Sequence, residues 1–108
     1  MGQGVLSRPF PRVEGAVHCG AHPAEALADA YGTPLYVYAV AHARERLGTF
    51  QTAFAGIDHL IAYSVKANGN LSLLRSLAEM GCGADVTSGG ELYRARRAGI
   101  PAERIVFA

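Results

Sequence analysis

Along this chain the spacing of apolar residues switches repeatedly between two rhythms, one suited to strands and one to helices. Leu35-Tyr36-Val37-Tyr38 is β-branched and aromatic, which predicts a buried strand. Val40, Ala43, Leu47, Phe50 and Phe54 follow at intervals of three or four, one face of an amphipathic helix. After the turn Ala55-Gly56, Leu60 to Val65 predicts a second strand, closed by Lys66-Ala67-Asn68-Gly69. Asn70 can cap a helix whose core face carries Leu71, Leu74, Leu77 and Ala78, and Gly81 ends it. Gly83 to Thr87 reads as a short third strand. Ser88-Gly89-Gly90-Glu91 fits a capping box, Ser88 accepting from a backbone N–H while Glu91 reaches back. That helix runs through Leu92 and Ala95 to Gly99, where Pro101 blocks continuation, and Arg104 to Phe107 opens a fourth strand.

Strict alternation of this kind predicts an α/β fold, a parallel sheet built from right-handed crossovers. Two architectures share the pattern, an open doubly wound sheet and a (β/α)8 barrel. A complete barrel takes about 250 residues, so if the fold is a barrel, these 108 residues are the first half of one. Ahead of the alternation, residues 1–22 are expected to be irregular, Gly- and Pro-rich, with one short strand near Val13 to His18. From 23 to 108 the chain reads as one α/β piece, with Pro23 opening a helix over Ala24 to Tyr31 that Gly32 ends.

Ten basic and nine acidic side chains leave a net charge of +1, which argues against a nucleic-acid or acidic-membrane partner. No apolar run approaches the ~20 residues that span a bilayer. Met1 to Arg12 holds two prolines and no apolar core, so it does not read as a secretory signal. The expected location is the cytoplasm, with Cys19 and Cys82 as free thiols.

Nine of the ten basic residues are arginine, and Lys66 is the only lysine. An arginine supplies charge and hydrogen bonds but cannot condense with a carbonyl, so the single lysine flags amine chemistry. Strand alternation would put Ala62, Ser64 and Lys66 on one face and Ile61, Tyr63 and Val65 on the other. The bulky face suits packing on helices, and the small face leaves room beside the lysine. Lys66 also falls at the carboxyl end of its strand, where α/β folds place their active sites. A lysine snorkelling from a strand end satisfies the same pattern, so position alone leaves both readings open. His18 and His22 are four apart with Cys19 between, but no third ligand lies nearby, and no metal is expected. His42 and His59 read as lone residues, on the surface or at the side of a helix. Arg94, Arg96 and Arg97 fall in the last turns of a helix, where they favour the negative dipole end and face solvent.

Tyr63-Ser64-Val65-Lys66-Ala67-Asn68 followed by Asn70-Leu71 resembles the pyridoxal-phosphate lysine motif of barrel-type, alanine-racemase-fold decarboxylases. Gly83-Ala84-Asp85-Val86-Thr87-Ser88-Gly89-Gly90-Glu91-Leu92 resembles the next signature of that group. Tyr31 to Tyr38 and Ile100 to Phe107 match in order and spacing around them. The likeness runs from about Ala24 to Ala108 and is greatest to the diaminopimelate decarboxylase branch. It implies an incomplete (β/α)8 barrel that binds pyridoxal 5'-phosphate, with Lys66 as the cofactor lysine. Asp85 would point inward near the cofactor amine, and Ser64, often Ala in relatives, would line the same face. The capping box accounts for Ser88-Gly89-Gly90, since the group binds its phosphate elsewhere. Ala39 stands where relatives usually have an Asp, which weakens a helix cap and touches no chemistry. The ring-stacking histidine, the phosphate-binding glycine loop, the acid at the pyridine nitrogen and the later cysteine have no counterpart here. Neither Cys19 nor Cys82 matches that cysteine.

The activity so implied is decarboxylation of meso-diaminopimelate to L-lysine by a homodimeric enzyme, a step of lysine biosynthesis. These 108 residues by themselves are expected to be inactive. Two alternatives stay open: a decarboxylase of another amino acid, and a non-enzymatic α/β binding module. Alanine racemase fits less well, because its Lys-Ala-Asn is followed by Ala-Tyr-Gly where this chain has Gly69-Asn70-Leu71.

Overall fold

The computed structural model describes residues 8–108, which divide into two compact units, one ending at Ala43 and the other running from Arg44 to Ala108. The first holds a small antiparallel meander. Strands β1 (Arg12–Val13), β2 (Ala16–Cys19) and β3 (His22–Pro23) lie in that order, so the stretch expected to be irregular with one strand carries three. The first turn explains why. Glu14 and Gly15 both have positive φ, 52° and 82°, the pairing that matches a two-residue hairpin to strand twist. Arg12 closes it by donating to the Gly15 carbonyl at 3.2 Å.

Helix α1 (Ala24–Tyr31) begins directly after Pro23 and ends at Gly32, whose φ of 81° no β-branched residue would accept. The run Leu35 to Tyr38 is not a strand, contrary to expectation. Its composition suits a strand, but a strand exists only where its N–H and C=O groups meet a neighbour, and none of the described strands pairs with it. Tyr36 is accordingly 86% exposed. Helix α2 (Val40–Ala53) carries the chain into the second unit.

In the second unit, β4 (Ala62–Ser64), β5 (Gly83–Val86) and β6 (Ile105–Phe107) form a parallel sheet in sequence order. Helix α3 (Leu71–Ala78) connects the first pair and α4 (Gly89–Arg97) the second. Neighbours in sequence are neighbours in space, the winding of a barrel and equally of either half of a doubly wound sheet. The register pairs Tyr63 with Ala84 and Ala84 with Ile105, so these three share a face. That face meets the helices. Val65, Leu74, Ala84, Val86, Ala95, Ala98 and Ile100 form its buried cluster, with Tyr63, Leu71 and Ile105 packed against it. The opposite face carries Ala62, Ser64, Gly83, Asp85 and Val106.

Both helix ends follow one rule. After α3, the N–H of Gly81 bonds the Ala78 carbonyl and that of Cys82 the Leu77 carbonyl. After α4, Gly99 bonds Arg96 and Ile100 bonds Ala95 in the same pattern. Each is a Schellman turn with glycine in the left-handed position, φ 86° and 102°, and a buried residue next. The starts are equally local. Asn70 accepts from Ser72 and Leu73 N–H at 2.9 and 3.2 Å, as expected. Ser88 accepts from Glu91 N–H at 3.1 Å. Glu91 reaches back one residue further than a capping box requires, accepting from the Thr87 N–H at 2.8 Å.

On α2 the expected apolar face is only partly used. Leu47 is buried, whereas Phe50 and Phe54 are half exposed. Polar anchors hold this helix instead, Arg44 donating to the Ser76 carbonyl at 2.6 Å and Gln51 to the Met80 carbonyl at 2.7 Å. Among the described residues no helix is long and apolar enough to cross a membrane.

Candidate functional site

Strand pairing stops at Ser64, one residue before the expected end of the second strand, and Val65–Ala67 forms a single 3-10 turn. Val65 enters the core at 1% exposure, and its carbonyl accepts the Asn68 N–H at 3.1 Å. Lys66 therefore rides on the turn beyond the strand rather than standing in line with Ala62 and Ser64, and it is exposed. Its amine makes no hydrogen bond or ion pair among the described residues.

Ser64 and Asp85 are register partners on β4 and β5, and the Ser64 hydroxyl donates to Asp85 Oδ2 at 3.3 Å. The other oxygen, Asp85 Oδ1, is buried with no donor, and so is Asn68 Nδ2 with no acceptor. Unpartnered buried polar atoms are unusual and need a reason. The two lie in the turn and strand that flank Lys66. The resemblance implies Asp85 near the cofactor amine. In this structure it holds Ser64, and no ion pair joins it to Lys66.

The turn itself is tied from several sides. Tyr63, assigned by alternation to the packing face, also sends its hydroxyl to the Asn68 carbonyl at 3.0 Å. Asn68 Oδ1 accepts from the Asn70 N–H at 3.0 Å. Arg94, from α4, donates to the Gly69 carbonyl at 3.0 Å. Arg94 was expected only to face solvent at a helix end. Its reach to Gly69 spans 25 residues of sequence, and no local pattern announces it.

Other singled-out residues lie elsewhere. The N-terminus of α4 is filled by Ser88 and Glu91. In the first unit, Cys19 pairs across strands with His22, and His18 with Pro23. Among the described residues no three His, Cys, Asp or Glu side chains converge as a metal set. His59 bonds the Ile57 carbonyl at 2.7 Å and tilts against Phe54, their ring centroids 5.6 Å apart. Cys82 is buried at the amino end of β5, its thiol donating to the Ile61 carbonyl at 3.3 Å. Burial pushes that thiol's pKa up, against the opposing pull of a hydrogen bond from the Tyr63 backbone. Both cysteines are free.

A group with a carbonyl to condense and a flat ring to place fits what is present: an unengaged primary amine, a half-satisfied carboxylate, and small side chains at Ala62 and Ser64 on the same sheet face. The fold here is a parallel α/β segment whose strand ends bring Ser64 and Asp85 together beside the turn that bears Lys66. The chain belongs to the pyridoxal-dependent decarboxylases, whose pyridoxal binding domain family model matches residues 40–108. Its cofactor is pyridoxal phosphate.

Relatives and solved structures agree. The chain is 55% identical over 82 residues to a diaminopimelate decarboxylase of Aquifex aeolicus, covering 76% of this chain and 19% of that relative. A crystal structure of diaminopimelate decarboxylase from M. jannaschii superposes with a TM-score of 0.86 at 38% identity, over 93% of this chain and 24% of the other. A second crystal structure of that enzyme, in complex with L-lysine, gives 0.84 at 38% identity, over 91% and 24%. The chain thus spans about a fifth of the length of the curated relatives it matches.

Proposed function

We propose that these residues form the cofactor-lysine edge of a pyridoxal-phosphate-dependent decarboxylase that converts meso-diaminopimelate to L-lysine. The observation that carries this is the unengaged Lys66 amine at the carboxyl end of β4, next to the Ser64–Asp85 pair, within motifs shared with diaminopimelate decarboxylases. Likeness to the lysine-complexed enzyme supports the product side of the reading.

When bound, pyridoxal phosphate supplies an electron sink for the pair left on the substrate carbon as carbon dioxide leaves. The chain's own residues prepare for it. Lys66 Nζ holds the group, a task that needs a primary amine and excludes arginine. Asp85 Oδ1, lacking a donor, is placed to accept from an N–H brought to this face, a charge-assisted bond if that N–H is cationic. Ser64 keeps the carboxylate in place through Oδ2 and is small enough to leave the face open. The helix-side core behind the sheet keeps β4 and β5 in register, so Ser64 and Asp85 stay side by side. The working enzyme is read as a cytoplasmic homodimer acting on a small amino acid, without nucleic-acid or membrane partners.

The test is made in the protein as its gene encodes it. Mixed with pyridoxal phosphate it should develop a visible absorbance band and release carbon dioxide from meso-diaminopimelate. Lys66→Ala and Lys66→Arg should lose both. Turnover retained by Lys66→Arg refutes the role of Lys66, and turnover of another amino acid in place of diaminopimelate refutes the substrate.

A further inference from the structure

We propose that Arg94 is a positioning residue for Lys66: from α4 it fixes the backbone of the turn that carries the cofactor lysine. This rests on the functional reading of Lys66 above and extends it to a residue on a different βα unit.

Residues 65–70 change course twice, from strand to 3-10 turn to the cap of α3. Most of their tethers are local. Asn68 N–H bonds Val65, Asn70 N–H bonds the Asn68 side chain, and Tyr63 reaches Asn68 from the adjoining strand. Among the described residues, Arg94 is the hydrogen-bonding side chain that reaches the turn from beyond β4 and α3. Its bond is charge-assisted, though open to solvent.

Shape supports the same pairing. A Cβ at Gly69 would stand 3.3 Å from Arg94 Cδ and 3.7 Å from Val65 Cγ1. Gly69 has no need of a positive φ, so its missing side chain serves close approach. The arginine stem lies where a side chain at position 69 would be, with its guanidinium on the carbonyl.

The connection joins the two parts of the site. Helix α4 starts at Gly89, after Thr87 and Ser88 at the end of the strand that bears Asp85, and Arg94 lies in its second turn. A tether from there to Gly69 links the β5–α4 unit to the Lys66 turn. The turn's backbone is held while the Lys66 side chain is left free. A lysine that must meet a carbonyl at a set angle gains from that combination, because orientation is settled before contact. Arg94 touches neither cofactor nor substrate in this account. It acts through the backbone.

The protein as encoded, stripped of cofactor, is mixed with pyridoxal phosphate, trapped with borohydride and mapped by mass spectrometry. In Arg94→Ala, labelling of Lys66 should slow about tenfold, as for loss of one charge-assisted hydrogen bond. Arg94→Lys, which keeps a long cationic donor, should recover most of the rate. Arg97→Ala, an exposed arginine in the same turns of the helix, should match wild type. Without cofactor, Arg94→Ala should speed hydrogen exchange at 66–70 while α4 amides keep their protection. Gly69→Ala, which leaves α4 untouched and crowds the arginine stem, should slow labelling in the same direction, and it decides the matter if Arg94→Ala does not fold. Equal slowing by Arg94→Ala and Arg97→Ala would make Arg94 a helix-end charge only and overturn the proposal. Unchanged labelling in Arg94→Ala or, where that variant does not fold, in Gly69→Ala, with the label on Lys66, overturns the proposal alone. Label on a residue other than Lys66 overturns the functional reading first.

Discussion

Asp85 has one oxygen committed to Ser64 and the other buried without a donor. A carboxylate in that condition is a poor structural anchor and a good receiver. Replacing it with Ala should therefore weaken pyridoxal-phosphate binding or slow turnover while the thermal midpoint stays near wild type. Unchanged kinetics, read by titration of the visible band and by carbon dioxide release, would return Asp85 to a packing role. Cys82 makes the opposite case, a nucleophile taken out of service. Burial raises its pKa above the ordinary 9.0, so the folded thiol stays neutral where the unfolded thiol ionises. The sign follows: the contribution is fully present below about pH 9 and is lost as pH rises from there through the folded value. Urea midpoints measured from pH 7.5 to 10.5 should fall more steeply in wild type than in Cys82→Ala. Parallel slopes would show that the burial has no such consequence.

At the scale of elements, the helix ends were legible because they obey rules that span five or six residues. Asn70, Ser88, Gly81 and Gly99 each act within one turn of their own position. The apolar face of α3 was legible for the same reason at Leu74 and Leu77, while Leu73 is buried beside it. Leu35 to Tyr38 was not, since pairing is decided by a partner that composition cannot report. Of the candidate site, Ser64 and Asp85 come together as alternation and register require. Lys66 leaves the strand because Val65 is drawn into the core and a 3-10 turn follows. Arg94 and Tyr63 were read for their helix and strand, while what they reach lies beyond it. Two substitutions separate these levels. Glu91→Ala removes the acceptor for Thr87 N–H and should cost about 1 kcal/mol of stability, with activity kept. Gly83→Ala should be far worse, because its Cβ would run into the Arg104 carbonyl oxygen and stand 3.1 Å from Leu60. Either strand β5 or β6 has to shift, and a loss beyond ~1–3 kcal/mol is expected. Denaturant melts of both variants check the order, and a mild Gly83→Ala would contradict the packing described.

At the scale of the molecule, the three parallel strands among the described residues cannot close a barrel, and there β4 and β6 each pair on one side only. Val106 and Phe107 are at least half exposed on opposite faces of β6. The 108-residue polypeptide taken by itself should therefore be catalytically silent and should self-associate. Sedimentation showing a monodisperse monomer would refute the second part, and lysine formation above a Lys66→Ala control the first. The paired glycine turns carry a different consequence. Both lie where helices hand the chain back to the amino ends of strands, at Gly81 and Gly99, whereas Lys66 stands beyond the carboxyl end of β4. Mutational tolerance should be partitioned accordingly. A library varied around the glycine turns would be sorted by survival of the folded state, and one varied around the lysine turn by chemistry. Improvements found at one end could be combined with those at the other with little interference.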